Sequence, residues 1–192
     1  MSKRFNTIAL ADEWKDAIGE PELTGSWFVY GPPKNGKTGF SMKLAKMLAS
    51  LARIVYNSVE EGLSLSIRAA MNRAGMEDAG SRFVLAEMDF KELKEFLGKK
   101  RSPDIIFIDS VQFMELQFGE YKQLKSMFPS KLFVYISHVS GNVPDGQVAR
   151  KIWRDANVVF RIEGFKAFPV GRYGGGTPIV ISKERANKYW GV

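Results

Sequence analysis

Gly31-Pro32-Pro33-Lys34-Asn35-Gly36-Lys37-Thr38 decides how the rest of the chain is read. Its spacing, G-x-x-x-x-G-K-[ST], is that of a phosphate-binding loop, the P-loop, and it lies where the mechanism demands, between an apolar strand and a helix. Gly31 and Gly36 permit backbone conformations that turn successive N–H groups inward. A helix starting near Lys37 adds the positive end of its dipole. Lys37 is placed to contact the β and γ phosphates and Thr38 to ligate Mg²⁺ through its hydroxyl, with Pro32, Pro33, Lys34 and Asn35 completing the cradle.

Working outward, Trp27 to Tyr30 reads as the strand before the loop, and Thr38 to about Leu51 as the helix after it, with Phe40, Leu44, Met47, Leu48 and Leu51 on one face. Further strands are expected at Arg53 to Asn57, Phe83 to Leu85, Asp104 to Asp109 and Leu132 to Ser137. Helical stretches run through Arg68 and Arg73 to Gly75, from Phe90 to Lys100 and from Tyr121 to Phe128. This alternation predicts an α/β domain on a mainly parallel central sheet flanked by helices. Val139 to Gly146 reads as a loop and Gln147 to Asp155 as a helix. Asn157 to Ile162, Ala167 to Gly171 and Pro178 to Ser182 are three strands that can supply an antiparallel sheet edge.

Two carboxylate positions answer the loop. Asp109 ends the run Ile105-Ile106-Phe107-Ile108, so it is expected at the C-terminal edge of a buried parallel strand, where it can hold Mg²⁺ and its water beside the phosphates. Mg–ATP binding follows from the two readings together. Hydrolysis also needs a positioned water. Glu60 and Glu61 lie just past the second strand, where either can polarise that water, and strand parity does not choose between them. His138, following Leu132 to Ser137, is expected at the same edge, within reach of a γ-phosphate.

The chain has 192 residues, Lys+Arg 28 against Asp+Glu 21, a formal charge of +7, no cysteine and one histidine. Disulfides, thiolate nucleophiles and cysteine-ligated metals are thereby excluded, leaving hard cations on oxygen ligands. No apolar run approaches the roughly 20 residues of a membrane span. The start, with Lys3, Arg4 and Asn6, lacks the apolar segment of a secretory signal, so the expectation is a cytoplasmic protein. The basic balance favours polyanions such as DNA. Arg150, Lys151 and Arg154 are candidate DNA-phosphate contacts if they do not simply solvate a helix face. Phe113, Phe118 and Phe165 are candidates for base stacking if they are not core.

The ordered motifs resemble the RecA-like ATPase core, most closely the bacterial RadA/Sms branch, over about residues 25 to 182. The P-loop, Tyr56-Asn57-Ser58-Val59-Glu60-Glu61, Ile106 to Gln112 and Ile136-Ser137-His138-Val139 carry the likeness. Asp155 to Gly164 and Arg172-Tyr173-Gly174 also resemble that branch's later elements. The resemblance implies that Glu60 is the base, that His138 senses the γ-phosphate and communicates with a DNA-binding loop at Val139 to Gly146, and that Arg172 reaches the ATP of a neighbouring subunit. Val170 stands where that last element has lysine, which departs from the pattern. The cysteine-bearing zinc module of full-length RadA is not in this sequence, so the stretch resembles the minimal cores of phages and mobile elements. The expectation is one domain, 1–192, with an extension at 1–24 and a core at 25–182. It is a homo-oligomeric, Mg²⁺-dependent ATPase acting on single-stranded DNA in recombination, repair or annealing. The rival readings are an ATP-binding regulator or scaffold that assembles without DNA, and a small-molecule P-loop kinase.

Overall fold

The computed structural model describes residues 7–10 and 12–192. The basic start at Lys3 and Arg4 lies outside the described residues. The core is an eight-stranded sheet. Its strands are β1 (Gly25–Tyr30), β2 (Ile54–Ser58), β3 (Phe83–Ala86), β4 (Ile105–Asp109), β5 (Leu132–Ser137), β8 (Val158–Glu163), β9 (Lys166–Gly171) and β10 (Ile179–Val180); β6 (Val139–Ser140) and β7 (Val143–Pro144) pair separately with each other. The spatial order in the large sheet is β10-β9-β8-β1-β5-β4-β2-β3. Pairing is parallel from β3 through β8 and antiparallel for β9 and β10. Of the three C-terminal strands expected to be antiparallel, β8 therefore joins β1 in parallel instead. A crossover helix, α6 (Gln147–Asp155), lies between β5 and β8 and lets the chain return in the same direction.

Helices α1 (Asp12–Ile18), α2 (Lys37–Ala49) and α3 (Leu65–Ala74) cover one face; α4 (Phe90–Leu97), α5 (Phe118–Met127) and α6 cover the other. β1 feeds both layers, with Trp27 and Val29 facing the first and Phe28 and Tyr30 the second. That two-sided burial is why the strand reads as a continuous apolar run. The same holds for β4, whose Ile105 to Ile108 are wholly buried and contribute roughly 1.5–3 kcal/mol per side chain. Ser64 caps α3 by accepting from the Ile67 N–H, and Gly75, at φ 65, ends it in the left-handed conformation a side chain would resist.

Several boundaries differ from expectation. The helix after the P-loop stops at Ala49, so Leu51 lies beyond it and is 44% exposed rather than on the buried face. Residues 139–146 are not an open loop. They form the β6–β7 ribbon, turning at Gly141-Asn142. Two elements went unread: α1, whose Trp14, Ala17 and Ile18 enter the core, and α7 (Lys183–Trp190), capped by Ser182. No helix among the described residues is long and apolar enough to cross a membrane.

Candidate active site

Parallel register brings the chemistry to one edge. Ser58 pairs with Asp109, Asp109 with Ile136, and Tyr30 with Ser137, so Gly31, Glu60, Asp109 and His138 all emerge at the C-terminal ends of neighbouring strands. Glu60, Asp109 and His138 line a cavity of about 1190 Å³ together with Lys37, Thr38 and Glu61. The Val59 and Glu60 N–H groups donate to the Asp109 carbonyl at 2.8 and 3.1 Å, which ties the segment after β2 to the end of β4. The Asp109–Ser110 peptide is cis.

The P-loop is built as its glycines require. Gly36, at φ 103, caps α2 and leaves the helix N-terminus open to the cavity. A Cβ on Gly31 would stand 2.2 Å from the Ile162 carbonyl oxygen, so only glycine lets the loop lie against β8. Asn35 fastens the loop to the turn after β8: its Oδ1 accepts from the Gly164 N–H at 2.8 Å, and its carbonyl accepts from the Phe165 N–H at 3.2 Å. α7 braces that turn through the Trp190 indole N–H, which donates to the Gly164 carbonyl at 3.0 Å.

Lys37 Nζ donates to the Gly31 and Pro32 carbonyls at 2.9 and 3.1 Å, oxygens that stand in for phosphate acceptors. Burial holds its pKa below the usual lysine value, against the fields of Glu60 and Asp109, which raise it. The Thr38 hydroxyl donates to Glu61 Oε1 at 3.2 Å, and Ser66 donates to the other Glu61 oxygen. His138 Nε2 lies 2.8 Å from Glu60 Oε2. The two adjacent glutamates thus take different partners.

Asp109 is 6% exposed and accepts from the Tyr56 hydroxyl at 2.6 Å. Burial pushes its pKa up to about 6; the Tyr56 hydrogen bond works downward, and Glu60 and Glu61 push it further up. Three carboxylates facing one buried cation, Lys37, leave a surplus of negative charge. Mg²⁺ fits that surplus, with Thr38 and Asp109 as its oxygen donors. The donor set and the loop fit Mg–ATP as well.

Sequence reasoning gave no role to Tyr56 or Gln112. Gln112 Nε2 donates to Ser137 Oγ and to the Asp145 carbonyl, each at 2.8 Å, while its Oε1 accepts from the His138 N–H at 3.2 Å. One amide therefore joins the end of β5, the His138 backbone and the β6–β7 ribbon. Its place three residues past Asp109 in the sequence was the only signal available. Lys43, Lys46, Arg73 and Arg185 also line the cavity, and Arg185 lies over the Phe165 ring at 5.3 Å.

The other predicted residues are not at this edge. Gly171 pairs with Val158 at the start of β8, so Arg172 lies at the opposite end of the sheet, one strand length from the P-loop. Arg172 and Arg154 line a second cavity instead. Lys151 lies over the Phe118 ring at 4.6 Å, and Arg150 is half-buried, so the three α6 cations do not form one strip. Phe113 is 55% exposed, with its ring centroid 6.0 Å from that of His138.

No protein-family model matches this sequence, and no curated protein matches it. Solved structures do. The flagellar accessory protein FlaH from Methanocaldococcus jannaschii superposes with a TM-score of 0.65 at 16% identity, over 93% of this chain and 96% of that one. A helicase ATPase domain gives 0.62 at 15% identity, over 91% and 87%. The KaiC-like protein PH0186 from Pyrococcus horikoshii OT3 gives 0.62 at 14% identity, over 86% and 89%. Sheet order, edge strands and these likenesses together define a RecA-like P-loop ATPase fold. They do not single out the RadA/Sms branch within it.

Proposed function

We propose that the chain is a Mg²⁺-dependent ATPase of RadA-like type that acts on single-stranded DNA in recombination, repair or annealing, working in the cytoplasm as a homo-oligomer. The observation that carries this reading is the convergence of Lys37, Thr38, Asp109 and the Glu60–His138 pair on one cavity. When bound, Mg²⁺ supplies Lewis-acid stabilisation of phosphate oxygens. Lys37 would turn from its own loop carbonyls to the phosphates, while the P-loop amides and the α2 N-terminus hold them. Glu60 would accept a hydrogen bond from the attacking water and orient it. His138, sharing a hydrogen bond with Glu60, links that water to the ribbon of residues 139–146 through Gln112.

ATP turnover measured with and without single-stranded DNA tests the reading. Stimulation by DNA is expected. Mg–ATP binding without turnover under either condition would favour the regulator reading, and phosphate transfer to a small molecule would favour the kinase reading. Assembly rests on the resemblance and is read by mass measurement with a non-hydrolysable ATP analogue.

A further inference from the structure

A second cavity, of about 410 Å³, opens on the sheet face opposite α2 and away from the P-loop. It lies where α6 stops covering the sheet. On this face Tyr30 and Arg161 are register partners, as are Arg161 and Phe168, and Val159 and Val170. α6 covers the Tyr30 side with Trp153, ring centroids 6.0 Å apart, while Val170 on β9 stays 70% exposed. The volume falls within the roughly 300–1,000 Å³ of small-ligand sites.

Its lining has two kinds of groups. Tyr30, Trp153 and Phe168 are aromatic; Arg154, Arg161 and Arg172 are cationic, and none of the described lining residues is a carboxylate. Arg161 lies over the Phe168 ring at 4.9 Å and donates to Glu163 at the rim. Among the described residues Arg154 and Arg172 make no ion pair. Asp155, the carboxylate that feels Arg172, is already bonded to Lys125 and Tyr121. The arginines come from α6, β8 and the turn after β9, so their convergence is a property of the tertiary fold and not of one helix face.

We propose that this cavity binds a nucleotide unit, its base against Trp153 and Phe168 and its phosphate on Arg154, Arg161 and Arg172. The favoured source of that unit is single-stranded DNA. Aromatic rings supply a stacking platform indifferent to base identity, and flanking arginines track the adjoining phosphates. A purely aliphatic partner would leave the guanidinium groups unanswered, and a purely anionic one would leave the rings unused. The inference deepens the DNA-acting reading and rests on it, relocating the strand from Arg150 and Lys151 to the face reached by Arg154.

The test is fluorescence anisotropy with labelled dT20, an abasic oligonucleotide of the same length and, separately, calorimetry with free dTMP. Circular dichroism and thermal melting confirm that each variant is folded. Trp153→Leu is expected to weaken dT20 binding by roughly five- to a hundredfold. Each of Arg154→Gln, Arg161→Gln and Arg172→Gln should flatten the slope of log affinity against log salt by about 0.7. The abasic oligonucleotide should bind more weakly than dT20. Wild-type dT20 affinity in Trp153→Leu, or equal binding of the abasic strand, overturns the proposal while leaving the DNA-acting reading standing. If wild type binds no dT20 yet binds dTMP in a Trp153-dependent way, the cavity is a free-nucleotide site and the DNA-acting reading falls. Binding of neither overturns both. Loss of self-association in the arginine variants, with dT20 affinity intact, assigns the face to a second copy of the chain and also overturns the proposal.

Discussion

His138 Nε2 stands 2.8 Å from Glu60 Oε2, joining the residue after β5 to the second residue after β2 across the end of β4. An ionised glutamate only accepts hydrogen bonds, so the imidazole donates and its Nε2 carries the proton in this pairing. The neighbouring Glu61 is held by Thr38 and Ser66 instead. Glu60 is thereby matched to sensing and water orientation, and Glu61 to the Mg²⁺ side of the loop. Glu60→Gln should leave ATP binding nearly normal and lower turnover about a hundredfold or more, the range of a positioned base. Glu61→Gln should retain more turnover than Glu60→Gln while needing more Mg²⁺. The reverse order in steady-state assays would exchange the two roles.

Tyr56 acts on the metal side from within the core. It is fully buried, stacks on Phe107 at 5.2 Å and donates to Asp109. Tyr56→Phe keeps the stacking and removes the donor, leaving a buried carboxylate oxygen with one partner fewer. A hydrogen bond to a charged group contributes about 1.5–3 kcal/mol. The melting temperature should fall by on the order of 5 °C for a chain of this size. Mg–ATP should recover part of the loss by giving Asp109 a cation in place of the hydroxyl. An equal deficit with and without Mg–ATP would mean that Tyr56 serves packing alone.

Gln112 offers a way to separate chemistry from coupling. Its amide holds the His138 N–H on one side and the Asp145 carbonyl at the foot of the ribbon on the other. Gln112→Ala should keep ATP affinity and basal turnover near wild type and reduce the stimulation of turnover by DNA. Turnover with and without dT20 reads this directly. Undiminished stimulation would show that the ribbon signals by another path, or not at all.

The P-loop and the Asp109 strand were legible because each is a local pattern whose neighbours in sequence are also its neighbours in space. β4 is a run of four apolar residues ending in a carboxylate, and its burial on both faces is written in that run. Tyr56 and Gln112 were not legible, since their roles come from β2–β4 register and from a three-way junction that no periodicity encodes. The parallel direction of β8 escaped for a related reason: Val158 to Glu163 alternates like an edge strand, and only the α6 crossover sets its direction. α7 was missed because one buried residue, Ala186, gives too thin an apolar stripe. Arg172 was placed by likeness of a short motif. Antiparallel pairing of β9 carries it to the far end of the sheet from its own P-loop.

The close approach of the P-loop to β8 gives a prediction that needs no ligand. An alanine Cβ at position 31 would lie 2.2 Å from the Ile162 carbonyl oxygen and 2.9 Å from Ile162 Cβ, and the first of these is backbone that cannot swing aside. Accommodating it means moving β8, and with it the turn through which Gly164 and Phe165 bond to Asn35. Overpacking of this kind costs about 1–3 kcal/mol where side chains can yield, so Gly31→Ala should reach or exceed the upper end. Its melting temperature should fall by roughly 6–12 °C. Gly119 is the matched control: it lies inside α5, has an ordinary helical φ, and an added Cβ meets nothing within 4 Å. Gly119→Ala should therefore stabilise by about 0.5–1 kcal/mol through helix propensity. Both are read by thermal melting and by binding of a fluorescent ATP analogue. Gly31→Ala protein that melts and binds like wild type would show that the P-loop does not rest on β8, and the bracing of the loop by Asn35 and α7 would fall with it.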